Sequence, residues 1–317
     1  MSMYPYNHKK GQTIQSDAEG VVLERVFIGR YNLSEAQAVA ADADGILPET
    51  ELTTARSITT GFNNPPAPRA LTYDCSASGV TGNVKVYGTN IKDEAITETK
   101  ALNGQTVVAG VAAFKSITKI DLPAKVHTKT KQSFSKTVTN ACTTKNGAVT
   151  LTITSALYTP ARVITLAATT TAHDDVTKTA AALVALINAD AVTGLHFLAS
   201  NVAGKITVTA LVEAANDVTL AAVYADNADP TGVAMGADAD PVAGVPPDLV
   251  IIGYGDIIGL PVMTKYKKVR GARLDGVLEA TAPTEVADAD EIEKNTLVLN
   301  SSLNGKEVDI LMYLDNE

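Results

Sequence analysis

The feature that most constrains this chain is a rhythm of short runs in which Thr and aliphatic residues alternate. Each run is closed by Gly, Pro, Asn or Asp, at a spacing of roughly 8–12 residues. AVTLTIT at 148–154, RVITLA at 162–167 and NVKVYG at 83–88 are such runs. A period of two sends alternate side chains to opposite faces of a strand, and frequent turns fold successive strands back on one another. The apolar content, 45% of the residues, is carried by Ala, Val, Leu and Ile, with 5% aromatic residues and no Trp. Such side chains fill thin cores between sheets and leave hydroxyls on the outer faces. The expected fold is mainly β, a β-sandwich or barrel-like architecture.

Along the 317 residues the pattern changes character twice. Residues 1–15 are polar and aperiodic and read as an N-terminal arm; they lack the apolar core of a signal peptide. Residues 20–30 read as a strand. Residues 34–44 (SEAQAVAADAD) read either as a short helix after a Ser cap or as a loop. After the rigid 63–69 stretch (NNPPAPR), residues 70–75 and 83–88 read as paired strands joined by a turn at 76–82. Strands at 95–102, 106–111 and 114–122 follow. Residues 125–136 hold four lysines and read as a linker or inter-domain tether.

Beyond it come strands at 148–154 and 162–167, then a helix at about 175–189. Asp174 and Asp175 stand at its positive end, and Val176, Ala180, Leu183 and Ile187 form one apolar stripe. Strands at 197–199, 205–210 and 218–223 precede a second linker, 224–245, rich in Asp, Ala, Gly and Pro. Further strands are expected at 248–252, 262–266, 272–278, 296–300 and 308–313. The two linkers predict a discontinuous β domain, 1–124 plus 246–317, with 125–245 inserted as a small β-rich α+β domain. In this reading the C-terminal strands complete a sheet that the N-terminal strands leave with an open edge.

No catalytic pattern emerges, and the reading is of a protein that is not an enzyme and needs no cofactor. His8, His127, His173 and His196 form no HxH, HExxH or Cys/His unit, so no metal is expected. Cys75 and Cys142 form no CxxC unit and read as free thiols. There is no GxSxG elbow and no GxxxxGK[ST] loop; GYGD at 253–256 lies between apolar runs and reads as a turn. Asp226, Asn227, Asp229, Asp238 and Asp240 are oxygen ligands of the kind Ca²⁺ takes, but the spacing is not that of an EF-hand, and a solvated linker is the alternative. DADEIE at 288–293 reads as an exposed acidic turn. A formal charge of −9 opposes nucleic-acid binding, and no run approaches the ~20 apolar residues of a membrane span.

Three pieces of the outer domain resemble tailed-phage head decoration (capsid cement) and head-fibre proteins. They are AADADGI at 40–46, NPPAPRALTY with GNVKVYGTN and AFKSITKIDLP across 64–123, and the ending from GDIIGLPV to NTLVLNSSLNGKEVDILMYL. Shorter proteins of this kind run directly from the AFKSITKI strand to the GDxxGLP turn. The inserted VTLTIT, RVITLA and TKTAAALVALINAD series, with its ANDVTL turn at 215–220, is similar to a β-rich module found on phage tail-tube, sheath and other virion proteins. The resemblance implies a virion structural protein, made in the cytoplasm of the bacterial host. Its implied partners are the major capsid protein and further copies of itself, as a homo-oligomer such as a trimer. It implies no active site. A tail, neck or head-fibre component and a carbohydrate-binding adhesin are the alternatives; an adhesin would need an aromatic platform drawn from Phe134, Tyr158, Phe197 and Tyr224. On the decoration reading the arm supplies partner contacts: Tyr4, Pro5 and Tyr6 as amphipathic anchors beside His8, Lys9 and Lys10. A merely disordered tail is the other reading of the arm.

Overall fold

Strand accounts for 53% of the molecule and helix for 8%, so the fold is mainly β, as the alternation requires. The computed structural model describes residues 13–15, 22–24, 27–226, 230–262 and 269–314. In chain order the strands are β1 (Thr13–Gln15), β2 (Val22–Glu24), β3 (Phe27–Leu33), β4 (Asp42–Glu51), β5 (Arg56–Ile58), β6 (Arg69–Cys75), β7 (Asn83–Thr89), β8 (Ala95–Ala101), β9 (Val108–Phe114) and β10 (Ser116–Leu122). There follow β11 (Lys131–Asn140), β12 (Gly147–Ser155), β13 (Tyr158–Ala168), helix α1 (Val176–Ala189), the short α2 (Thr193–His196), β14 (Phe197–Val202), β15 (Lys205–Glu213), β16 (Ala221–Asp226) and β17 (Ala234–Val242). The last are β18 (Leu249–Gly259), β19 (Val269–Leu274), β20 (Val277–Leu278), β21 (Thr284–Val286), β22 (Thr296–Val298) and β23 (Val308–Leu314). The chain divides into two compact units: Met1–Val126 with Asp248–Glu317, and His127–Pro247.

In the first unit, one sheet runs β21-β22-β18-β6-β9, with β4 also on β18, and another runs β5-β10-β7-β8. Leu71, Tyr73, Cys75, Val250 and Ile252 of the first sheet share a core with Val84, Val86, Ile117 and Ile120 of the second. β6 and β7 are therefore not the hairpin expected across 76–82. Val80, in the middle of that supposed turn, is fully buried, so the segment is a corner that carries the chain from one sheet to the other. A third sheet, β20-β19-β23-β3, builds a second core with Ile258, Leu260 and Leu297. The 272–278 run is not one strand but a hairpin: Leu274 pairs with Val277 across Asp275-Gly276, both at positive φ (50° and 78°).

β18 is the spine of this unit. As expected of a C-terminal strand completing an N-terminal sheet, it bonds to β4 and β6, and it bonds to β22 as well. The GYGD segment, expected as a turn, lies inside it. A Cβ on Gly253 would stand 2.1 Å from the Asp42 carbonyl oxygen, so glycine is what lets β4 approach β18. The register breaks between Tyr254 and Ile258, which turns the strand from the first core to the second.

The 34–44 segment makes one turn, with the amides of Gln37 and Ala38 donating to the Ser34 carbonyl, and then enters β4. Its next carbonyls are already occupied. Arg69, fully buried, donates to Val39 O (2.6 Å), Gln37 O (3.1 Å) and Gly255 O (3.4 Å), and Gly305 N donates to Ala38 O (2.8 Å). A helix would need those acceptors. Thr13–Gln15, at the end of the expected arm, pair with Val22–Glu24. The expected 262–266 strand falls largely outside the described residues.

The second unit holds a four-stranded sheet, β14-β15-β11-β17, and a three-stranded sheet, β13-β12-β16. Phe134, Val138, Ile206 and Val208 of one share a core with Val149, Leu151, Ile153 and Ile164 of the other. α1 adds Ala180, Leu183 and Ile187, all fully buried, as its stripe predicts, and Asp175 caps it by accepting from Thr177 N and Lys178 N. Both expected linkers prove to be structural. β11 begins inside the basic 125–136 segment and is an interior strand, and β17, from the 224–245 segment, lies beside it. Charged residues disguised both strands.

Candidate functional site

The second unit closes its sheet edges with side chains. On β16, the Ala222 amide donates to Asp238 Oδ2 (2.9 Å) and its carbonyl accepts from Lys136 Nζ (2.9 Å). Lys136 and Asp238 are themselves paired at 2.9 Å, so the ion pair acts as a strand would on that edge and ties the two sheets together. Lys136 is only 6% exposed, a burial that its two oxygen partners make tolerable. At β14, Asn188 of α1 does the same with a carboxamide: its Oδ1 accepts from Ala199 N (2.7 Å) and its Nδ2 donates to Ala199 O (3.0 Å). The first unit repeats the device at the bulge in β9, where buried Glu98 accepts from Val111 N (2.7 Å), Ala112 N (3.2 Å) and Tyr73 Oη (3.1 Å). Burial and the neighbouring Glu98 carboxylate raise the Tyr73 hydroxyl well above its ordinary pKa.

The acidic residues weighed as cation ligands are likewise committed. Asp226 accepts from Thr231 N (2.9 Å), Asp238 holds Lys136, and Asp240 pairs with Lys205. Asn227 and Asp229 lie outside the described residues. Asp288 accepts from Asp290 N and Glu291 N in the bend just ahead of the 3₁₀ turn at Ile292–Lys294. Among the described residues no group of three or more His, Cys, Asp or Glu side chains has the geometry to hold a metal. His173 Nδ1 accepts from Thr169 N ahead of α1, and His196 ends α2 beside the Tyr158 ring (6.1 Å between centroids). Cys75 and Cys142 are free and buried, one in each unit, and burial raises both thiols. Phe134 and Phe197 are buried in the second unit's core, with Tyr158 and Tyr224 packed partly buried against it, so these four rings form no exposed platform. Tyr4, Pro5, Tyr6, His8, Lys9 and Lys10 lie outside the described residues.

Two hollows remain. One, of about 300 Å³ in the first unit, is walled by Asn90, Glu94, Asp290 and Glu293. The other, of about 180 Å³ in the second unit, is walled chiefly by Leu157, Leu195, Phe197, Leu211 and Val212. Gln132 and Asp217 of its polar wall are already engaged. Gln132 and Asp217 exchange hydrogen bonds of 2.7 Å, and the Asp217 carboxylate accepts from Ser155 Oγ, Ala156 N, Thr219 N and Thr219 Oγ1. Burial alone would raise the Asp217 pKa, but these donors outweigh it and lower the value to about 2.

The outward face of β13-β12-β16 is a surface of uniform chemistry. Val149, Leu151 and Ile153 point inward, so Thr150, Thr152 and Thr154 point outward. Thr152 pairs with Val163 on one side and Val223 on the other, and Thr150 pairs with Thr165 and Ala225. Val163 is 56% and Val223 62% exposed. The outward positions of all three strands hold only Ala, Thr and Val, without a charge. Thr150 Oγ1 and Thr154 Oγ1 donate to backbone carbonyls of Ala225 and Thr219, which commits two of the hydroxyls and makes the face less polar than its composition. Sequence reasoning anticipated hydroxyl-rich outer faces but singled out no residue here, because the neutrality of the face requires knowing which three strands are neighbours. No family model, curated protein or solved structure matches the chain.

Proposed function

We propose that this chain is a structural protein of a tailed-phage particle, a decoration (cement) protein that binds the outside of the head shell through the major capsid protein and stabilises it. The observation that carries the reading is the uncharged sheet face of the second unit, set on bodies whose carboxylates and amides are committed to closing strand edges. The likeness of the 40–46, 64–123 and C-terminal segments to head decoration proteins supports the same reading. A protein of this kind acts by binding free energy alone. It stabilises the shell because it binds the assembled lattice and not its separate subunits. Contacts spread over several neighbours slow its dissociation by avidity. The N-terminal residues Tyr4, Pro5, Tyr6, His8, Lys9 and Lys10 are assigned to those contacts.

Mixing the purified chain with undecorated heads and imaging them by electron microscopy tests this. The expected result is repeated density over the outer surface of the shell, lost when residues 2–15 are deleted. Density confined to the neck or tail, or no binding to heads, would refute the decoration role.

A further inference from the structure

We infer that the hollow of about 180 Å³ in the second unit is a binding site for a small uncharged aromatic molecule, one ring carrying a hydroxyl. Such a site lies outside the structural role proposed above and does not depend on it.

The walls set the body of the ligand. Leu157 comes from the turn between β12 and β13, Leu195 from α2, and Leu211 and Val212 from the end of β15. Each is a large aliphatic side chain left exposed, by 53%, 71%, 39% and 62% in that order. Single exposed aliphatics are ordinary, but four of them from three elements converging on one concavity mark a place where apolar surface is taken up. Phe197 and His196 add two rings to the wall. Both already pack near Tyr158, with centroids 6.4 Å and 6.1 Å away, the first edge-on at 88°. A ligand ring extends that cluster, whereas an aliphatic of the same size gains only buried area.

Volume sets the size. An apolar cavity of roughly 150 Å³ takes up benzene, so this hollow holds one ring with one or two small substituents.

The polar groups set the charge. Of the three polar side chains on the wall, the Gln132 carboxamide is spent on the Asp217 backbone, and the Asp217 carboxylate on four donors. Water in the hollow therefore finds few partners and is easily displaced. Asp217 stays ionised, which repels a carboxylate ligand. A cation would shed its own water against aliphatic walls with the Asp217 lone pairs already taken. His196 makes no hydrogen bond among the described residues, and an imidazole can give one to a ligand hydroxyl or take one from it.

Titrating the full chain with 4-methylphenol, followed by amide NMR, tests the site. A saturable shift confined to residues 155–158, 193–198 and 210–217 is expected, with a Kd of about 0.1–1 mM. 4-Methylcyclohexanol, of the same size without the aromatic ring, should bind about threefold more weakly or worse, and 4-methylbenzoate about tenfold. Ala210→Leu, which fills the hollow, and Leu195→Asp, which puts a charge on its wall, should each weaken 4-methylphenol about tenfold. Leu195 is largely exposed, so its variant keeps the wild-type melt even where Ala210→Leu does not fold. His196→Phe should abolish the preference for 4-methylphenol over toluene, and a preference that persists would deny the hydroxyl its partner. No saturable shift at these residues up to ~10 mM, equal binding of the phenol and the benzoate, or binding indifferent to Leu195→Asp overturns the inference. So does a chain that ignores every ring but loses head binding in Leu195→Asp, since the hollow then takes a partner's side chain.

Discussion

At the scale of the residue, the decisive events in this protein are side chains that stand in for a missing strand. Lys136 and Asp238 were legible as charges but not as partners: they are 102 residues apart, and one lay in an apparent basic tether, the other in an apparent acidic linker. Only its oxygen partners make Lys136 tolerable where it sits, 6% exposed. Lys136→Met leaves the Ala222 carbonyl without its donor, while Asp238, on the exposed side, keeps access to water, so the loss is about 1–2 kcal/mol. Chemical denaturation should show that loss in the transition of the second unit, and a loss under ~0.5 kcal/mol would deny the pair its structural role. Asp217 predicts a pH dependence. Its folded pKa, about 2, lies below its unfolded value near 4, so its contribution is complete above about pH 4 and disappears as pH falls through about 2. Asp190 acts in the same direction, held low first by its bond from Arg162. Thermal melts of Asp217→Asn should lie below the wild type at pH 7 and converge with it toward pH 2; a constant offset would show that the ionised form is not what matters.

At the scale of the element, alternation predicted strands well and partners poorly. The 148–154 and 162–167 runs are β12 and β13, hydrogen-bonded to each other, and the 175–189 helix is α1 with the expected buried stripe. Where the pattern misled, a long-range contact had overruled a local preference. The 34–44 segment has the alanines of a helix, yet Arg69 and Gly305 occupy the carbonyls that a helix would use. GYGD has the glycines of a turn, yet Gly253 is there because β4 crosses within contact of its Cα. Gly253→Ala should therefore destabilise the first unit by about 1–3 kcal/mol through overpacking, even though alanine suits a strand better than glycine. Gly276, at φ 78° with nothing near its absent Cβ, is limited by backbone conformation alone, and Gly276→Ala should cost only about 1 kcal/mol. Equal losses at the two positions, measured by urea unfolding, would contradict the distinction.

At the scale of the whole molecule, the break between the units has a local geometry that makes excision practical. Within the first unit Val126 N donates to Asp248 Oδ2 (2.7 Å), and within the second Thr130 and Val245 exchange both backbone bonds at 3.0 Å. Each unit thus brings its own chain ends together. Replacing residues 127–247 by a short Gly linker is expected to leave a cooperatively folding first unit, seen as a single sharp melting transition; aggregated or molten product would show that the units need each other. The sequence by itself determined the mainly β architecture, the spacing of its turns and the one amphipathic helix, because side-chain periodicity and capping are properties of neighbouring residues. Only the tertiary structure decided which strands lie side by side, that the two charged segments are strands, and that three runs of Ala, Thr and Val combine into one neutral face. Those outcomes depend on groups separated by tens to hundreds of residues, whose interaction has no energy until the chain has brought them within a hydrogen bond's length.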